Sequence, residues 1–338
     1  MRSSSLFGAA LLVGPDAAEF LHGQISNDVE HMPVGSARLA TYNTAQGRMV
    51  ANFVVLRAAE DAFALTLRRD AAAKTAKRLA MFRLRSKVRI GCLDGSAAPG
   101  ASGMEADPVF AGFGASLLSI PTRDLSDEQA RAPRPLSLQS EPIGERLWKV
   151  VLPCGEAMAI GVLPDADAPV GGEPGAGSTA QGVCGDDAWL AYEIRNGMAW
   201  IDLGSSETQA PQMCAMDVLG ALDFKIGCYP GQEVIARAKY RGRVKRGLIA
   251  CRCDAPGPLS AKSGDRLLGA DGAEAGVLLA AAPDAAPSGL AGQGFVALVS
   301  AKFSARGETL RAGENEFRPW RVFFDADAAD GDEASAKA

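Results

Sequence analysis

One thiol in this chain stands where it could do chemistry. In residues 222–248, LDFKIGCYPGQEVIARAKYRGRVKRGL, Cys228 lies between Gly227 and Gly231, with Lys225 just before it and Gln232-Glu233 just after. Basic residues then fall on every second position, at Arg237, Lys239, Arg241, Arg243 and Lys245, with Arg246 added. If the segment is extended, this period puts five cations on one face. No acid interrupts it between Glu233 and Asp254. In a chain of net charge -5 such a local positive field favours thiolate over thiol and attracts an anionic ligand. The plain alternative is a solvated basic strand beside an ordinary turn cysteine.

The second segment is WLAYEIRNGMAW, residues 189–200. Leu190, Tyr192 and Ile194 fit a helix that Gly197 stops. Glu193 and Arg195 are its charged pair. A carboxylate offers two acceptors to any ligand edge with two adjacent donors. The plain alternative is a surface ion pair with Arg195 or a neighbour.

KIGCYPGQE with its basic tail resembles a specific signature, Lys-x-Gly-Cys-aromatic-x-Gly-Gln-Glu, matched by Lys225, Gly227, Cys228, Tyr229, Gly231, Gln232 and Glu233. It is the signature of the YgfZ family of folate-binding proteins, relatives of the glycine-cleavage T-protein (aminomethyltransferase) implicated in iron-sulfur cluster assembly. The likeness extends more loosely over residues 6–324. It implies a tetrahydrofolate-binding accessory factor for assembly or repair of iron-sulfur clusters and, through them, for tRNA-modifying enzymes. On that reading Glu193 holds the pterin edge with Arg195 beside it. Gln232, Arg237, Tyr240 and Arg241 complete the folate site, the basic face meeting the anionic glutamate tail. Cys228 is the reactive atom, and Lys225 raises its thiolate fraction. Glu233 braces the turn. The implied partners are iron-sulfur proteins or their assembly machinery, in the cytoplasm.

Two other readings compete. One-carbon transfer, as in the aminomethyltransferases, calls for an acid near the folate nitrogens. T-protein relatives carry an Asp-Asp pair in the strand after an early glycine hairpin. Aligning that hairpin with Gly47-Arg48 puts Ala51-Asn52 where the acids belong, and residues 47–57 contain no acid. An RNA-binding surface would use the same basic strip with Tyr229 and Tyr240 as stacking rings. Overall acidity and an aromatic content of 6% oppose it.

Several elements must position these groups. At 338 residues the chain exceeds one typical core, so two or three domains are expected. No apolar run approaches the about 20 residues of a membrane span. The cysteines, Cys92, Cys154, Cys184, Cys214, Cys228, Cys251 and Cys253, are odd in number and scattered, which suits a reducing compartment. Cys251 and Cys253 lack the second pair and the histidines that a zinc site would add; the chain has only His22 and His31. The pattern predicts a strand at 6–13, a helix from Asp16 to His22, strands at 49–56 and 63–67, and a helix at 70–82. Residues 93–113 read as a long loop. Strands follow at 147–152 and, from 246 on, as short apolar runs that suggest a small antiparallel barrel. The expected class is α+β, a T-protein-like multidomain architecture with an N-terminal mixed sheet-and-helix region and a C-terminal β-barrel. We expect an α+β region at 1–170, a central segment at 171–243 completing the site, a barrel at 244–324 and a disordered tail at 325–338.

Overall fold

Apolar residues at nearly every position of 49–56 leave no polar face for water, so this strand has to be covered on both sides. The computed structural model describes residues 4–93, 113–119, 134–162, 185–242, 244–255, 258–284 and 293–323. The chain starts with β1 (Phe7–Val13), α1 (Ala17–His22), β2 (Ala37–Asn43), β3 (Met49–Ala59), β4 (Ala62–Arg68), α2 (Arg69–Phe82) and β5 (Arg89–Leu93). Next come β6 (Phe113–Ser119), β7 (Ser137–Gly144), β8 (Leu147–Val151), β9 (Ala157–Val162), α3 (Asp186–Arg195) and α4 (Gln232–Tyr240). The last elements are β10 (Arg246–Ala255), β11 (Arg266–Leu268), β12 (Glu274–Pro283), β13 (Gln293–Lys302), β14 (Leu310–Ala312) and β15 (Asn315–Val322).

Strands β1 to β9 form one sheet in the order β5-β1-β4-β3-β2-β7-β8-β9-β6, and β10 to β15 close a six-stranded barrel. The described pairings are antiparallel, and the architecture is α+β. In β3, Val50, Phe53 and Val55 pack beneath α1 and α2, while Met49, Val54 and Leu56 enter a core on the opposite face. Burying one such side chain stabilises the fold by about 1.5–3 kcal/mol.

That second core joins the two halves of the molecule. Trp189, Tyr192 and Ile194 of α3 lie in it with Val150 and Ile160 of the sheet and with Leu248, Ala250, Leu279 and Leu298 of the barrel. Alternate residues of β10 turn the other way: Ile249, Cys251 and Cys253 fill the barrel interior beside Leu278 and Phe317. Both cysteines are buried there, and burial pushes the Cys251 thiol far up.

Two expectations change. The basic segment is not an extended strip, because residues 232–240 form α4. Gln, Glu, Ala, Arg and Lys favour helix. Glu233 sits in the first turn and Arg237 and Lys239 in the last, as the helix dipole prefers. Residues two apart on a helix lie about 200° apart, so Arg237 and Lys239 diverge. Strands β2, β5, β6 and β7 also carried too little pattern to be predicted; β7, SLQSEPIG, is mostly exposed. Arg243, most of the 93–113 loop and the tail at 325–338 lie outside the described residues.

Candidate functional site

Where the sheet meets the barrel a cavity of about 710 Å3 opens. Arg68 ends β4 and Asp70 lies in the first turn of α2, so the strand-to-helix corner delivers both to the cavity wall. Trp200 and Asp202 come from the segment after α3, Lys262 from the link between β10 and β11, and Leu279 from β12. The wall is thus apolar along β12, with Lys262 and Ser263 beside it, and mixed in charge at the sheet. Burial pushes the Asp70 carboxyl up, against a hydrogen bond from the Leu203 N–H at 3.2 Å. Asp202 Oδ1 accepts from the Ser205 and Ser263 hydroxyls, each at 2.7 Å.

Behind this wall lies Glu193, fully buried. Its Oε1 accepts from the indole N–H groups of Trp189 at 2.8 Å and Trp200 at 2.7 Å. Its Oε2 accepts from Arg68 Nη2. The Arg68 guanidinium also lies over the Phe7 ring at 4.9 Å and the Trp200 ring at 5.7 Å. Three donors from the protein occupy both oxygens of the carboxylate, and Glu193 is not among the residues lining the cavity. Glu193 therefore does not present the bare pair of acceptors expected from the sequence; it fixes two residues that do line the wall, Arg68 and Trp200. Arg195 leaves it altogether and pairs with Asp284 of the barrel at 2.5 Å.

A second carboxyl, Glu156, is also fully buried. Cys154 Sγ donates to its Oε2 at 3.3 Å. Its Oε1 and the Nη1 of Arg68 find no hydrogen-bond partner among the described residues. Burial, and then the Glu193 charge, push Glu156 well above the usual glutamate range. Burial raises Glu193 too, but Arg68 and the indoles pull it back. Burial thus disfavours the charged form of both carboxyls, and more so at Glu156, to which no cation is hydrogen-bonded among the described residues.

The thiol is elsewhere. Cys228 and Lys225 are both exposed on the loop before α4 and line neither this cavity nor the smaller one described below. Gly231 makes the loop possible: its φ is +82°, and a Cβ there would stand 2.4 Å from the Thr44 carbonyl oxygen in the β2–β3 hairpin. Gly227 has open space around it, so it is not sterically required. Gln232 Nε2 donates to the Ile226 carbonyl at 3.3 Å, which braces the loop instead of facing a ligand. Glu233 and Arg237 face each other at 3.8 Å in water. Tyr240, 67% exposed, meets Phe224 edge-on at 5.9 Å, and Lys239 lies 4.4 Å above the Phe224 ring. Arg241 is exposed. Tyr229 is buried, which removes one of the two stacking rings of the RNA reading.

The structure therefore separates the sequence-predicted residues into a surface group, Cys228, Lys225, Gln232, Arg237, Tyr240 and Arg241, and an inner group around Glu193. Sequence reasoning missed Arg68, Asp70, Asp202 and Lys262. Asn52, where the sequence comparison places an acid, donates to the Ala199 carbonyl at 2.9 Å and accepts from the Ile201 N–H at 2.7 Å. It braces the segment after α3 that delivers Trp200.

A sheet and barrel joined across one core, with a cavity at the seam, define the class, that of the glycine-cleavage T-protein fold. Residues 3–95 match the GCVT N-terminal domain family. The crystal structure of glycine cleavage system aminomethyltransferase T from Bartonella henselae superposes with a TM-score of 0.56, covering 96% of this chain and 84% of that one at 15% identity. Within that class the chain belongs to the YgfZ family. It is 31% identical over 239 residues to the tRNA-modifying protein YgfZ of Klebsiella pneumoniae, covering 71% of this chain and 67% of that protein. The tRNA-modifying protein YgfZ of Cronobacter sakazakii is 31% identical over 245 residues, with the same coverage.

Proposed function

We propose that this chain binds tetrahydrofolate or a derivative in the cavity between sheet and barrel, and supports assembly or repair of iron-sulfur clusters through the exposed thiol Cys228. Its output would reach tRNA-modifying enzymes, and its place of work would be the cytoplasm. The observation that carries the reading is the cavity itself. Its volume of about 710 Å3 falls within the range of pockets for a cofactor-sized ligand, and it occurs in a chain of the YgfZ family with the T-protein fold. Trp200 contributes an apolar contact to the cavity wall, and Asp70 offers acceptors to the amino-pyrimidine edge of a pterin. Arg69 and Lys262 offer cations to an anionic tail. Glu193 acts one layer back, by holding Arg68 and Trp200.

Cys228 works from the surface, where a partner's iron or sulfur can reach it. Among the described residues no three His, Cys, Asp or Glu side chains gather as a metal site, so iron passing over Cys228 would take its remaining ligands from the client. Arg237, Tyr240 and Arg241 then belong to a client-facing surface and not to the folate pocket. No helix among the described residues is long and apolar enough to cross a membrane.

A second reading, one-carbon transfer, draws support from Asp70 and Asp202 on the cavity wall, the acids that β3 lacks. Calorimetric titration with tetrahydrofolate tests the binding claim: Trp200→Leu and Asp70→Asn should each weaken it about tenfold, and unchanged affinity in both would remove the cavity from the argument. Cys228→Ser should fail to restore iron-sulfur enzyme activity in a strain lacking the protein; full restoration would make the thiol dispensable. Turnover in a glycine-cleavage assay would favour the second reading.

A further inference from the structure

A smaller cavity of about 280 Å3 lies at the same seam, lined by Arg48, Arg246 and Arg266 with a single acid, Glu274. Its cations come from both halves of the molecule. Arg48 is in the β2–β3 hairpin, Arg246 opens β10 and Arg266 opens β11. Glu274 bridges two of them, with Arg246 Nη2 at 2.7 Å and Arg266 Nε at 3.5 Å. Two guanidinium groups thus already converge on one carboxylate. Hydrogen bonding from Arg246, with Arg266 and Lys302 adding their charge, holds the Glu274 carboxyl below the usual range. Among the described residues the third guanidinium has no acid: Arg48 Nη1 donates to the Thr208 carbonyl at 3.1 Å and lies 3.6 Å from Met213 Sδ.

Three cations against one anion leave two charges in excess around a recess, with Arg266 at its exposed rim. A recess focuses the field of such charges and concentrates counter-ions. Guanidinium groups present forked N–H donors that match the oxygen pairs of carboxylate and phosphoryl groups. Neither feature serves the larger cavity, and neither depends on a folate being bound there. We propose that this recess is a binding site for a small oxyanion, a phosphoryl or carboxylate group of a soluble ligand. Arg48, Arg246 and Arg266 hold it, and Glu274 sets an upper limit on the charge it accepts. The bound group would tie the sheet's hairpin to the barrel.

The test uses the full chain and calorimetric titration with inorganic phosphate, with glutarate, and with sodium chloride at matched ionic strength. Saturable binding of phosphate or of glutarate, absent with chloride, is the expected result, and the better of the two shows whether the natural group is phosphoryl or carboxylate. Arg48→Gln and Arg266→Gln should each weaken it about tenfold or more, the loss of a charged hydrogen bond. The Arg266 side chain is 78% exposed, so its replacement leaves packing intact. Lys77→Gln, an exposed cation on α2, should change nothing. Heat signals that chloride reproduces, or that survive both arginine substitutions, would overturn the proposal.

Discussion

Glu193 is a buried charge, and a buried charge persists only while its partners do. Breaking such a pair from one side leaves the other side uncompensated, at about 3–5 kcal/mol. Glu193→Ala should therefore lower stability by that order, read from denaturant midpoints, because Arg68 and two indole N–H groups lose their acceptor. Its neighbour Glu156 behaves in the opposite sense. Unfolded, it ionises in the ordinary glutamate range; folded, burial keeps its proton on to higher pH. Between those values the folded chain binds more protons than the unfolded one, so this residue's contribution to stability is complete below the ordinary range and falls as pH rises through the window. Glu156→Gln should flatten that fall when midpoints at pH 5 and pH 8 are compared. Were the slope unchanged, Glu156 would be ionised in the fold. At this scale the sequence was half legible. Glu193 stood out as one of a charged pair with Arg195 and through the family resemblance, but its role depends on Arg68, 125 positions away. No local pattern announces such a partner.

The element that departs most from expectation is α4. Alternating cations suggested a strand, yet Ala236 and Ala238, which flank Arg237, are good helix formers. Only Ile235 of this helix is buried. The helix therefore depends on its N-terminal anchor, where Gly231 sits against the hairpin. Gly231→Ala should destabilise this segment by about 1–3 kcal/mol, the cost of a forced left-handed backbone. A Cβ lying 2.4 Å from the Thr44 oxygen adds displacement of the hairpin to that cost. Amide exchange across residues 226–240 should accelerate more than exchange in β10. Uniform acceleration would show that the loop and barrel open together. The strands with continuous apolar runs, β1, β3, β4 and β10, were legible because burial on one or both faces leaves its mark in every residue. Polar, mostly exposed strands such as β7 leave none.

Across the whole molecule, α3 is the joint: one helix places Trp189, Tyr192 and Ile194 against both sheet and barrel. The proposed division at residues 170 and 243 thus describes the order of the chain, while the cores cut across it. The sequence predicts the barrel from its short apolar runs. It gives no sign of the seam, which is built from loops: residues 202–213 of one meet residues 261–264 of another. At their closest, Gly204 has the Ser263 carbonyl oxygen 2.3 Å from where a Cβ would stand, and Gly264 has the Gly204 oxygen at the same distance. Gly204→Ala should therefore cost at least about 1–3 kcal/mol, as overpacking does, visible as a lower melting temperature. An unchanged melting temperature would mean the loops part freely. Asp202 and Ser263 face the large cavity, while Thr208 and Gly264 face the small one. The two chambers accordingly share a party wall only two backbones thick, and whatever pushes on it from one room is felt in the other.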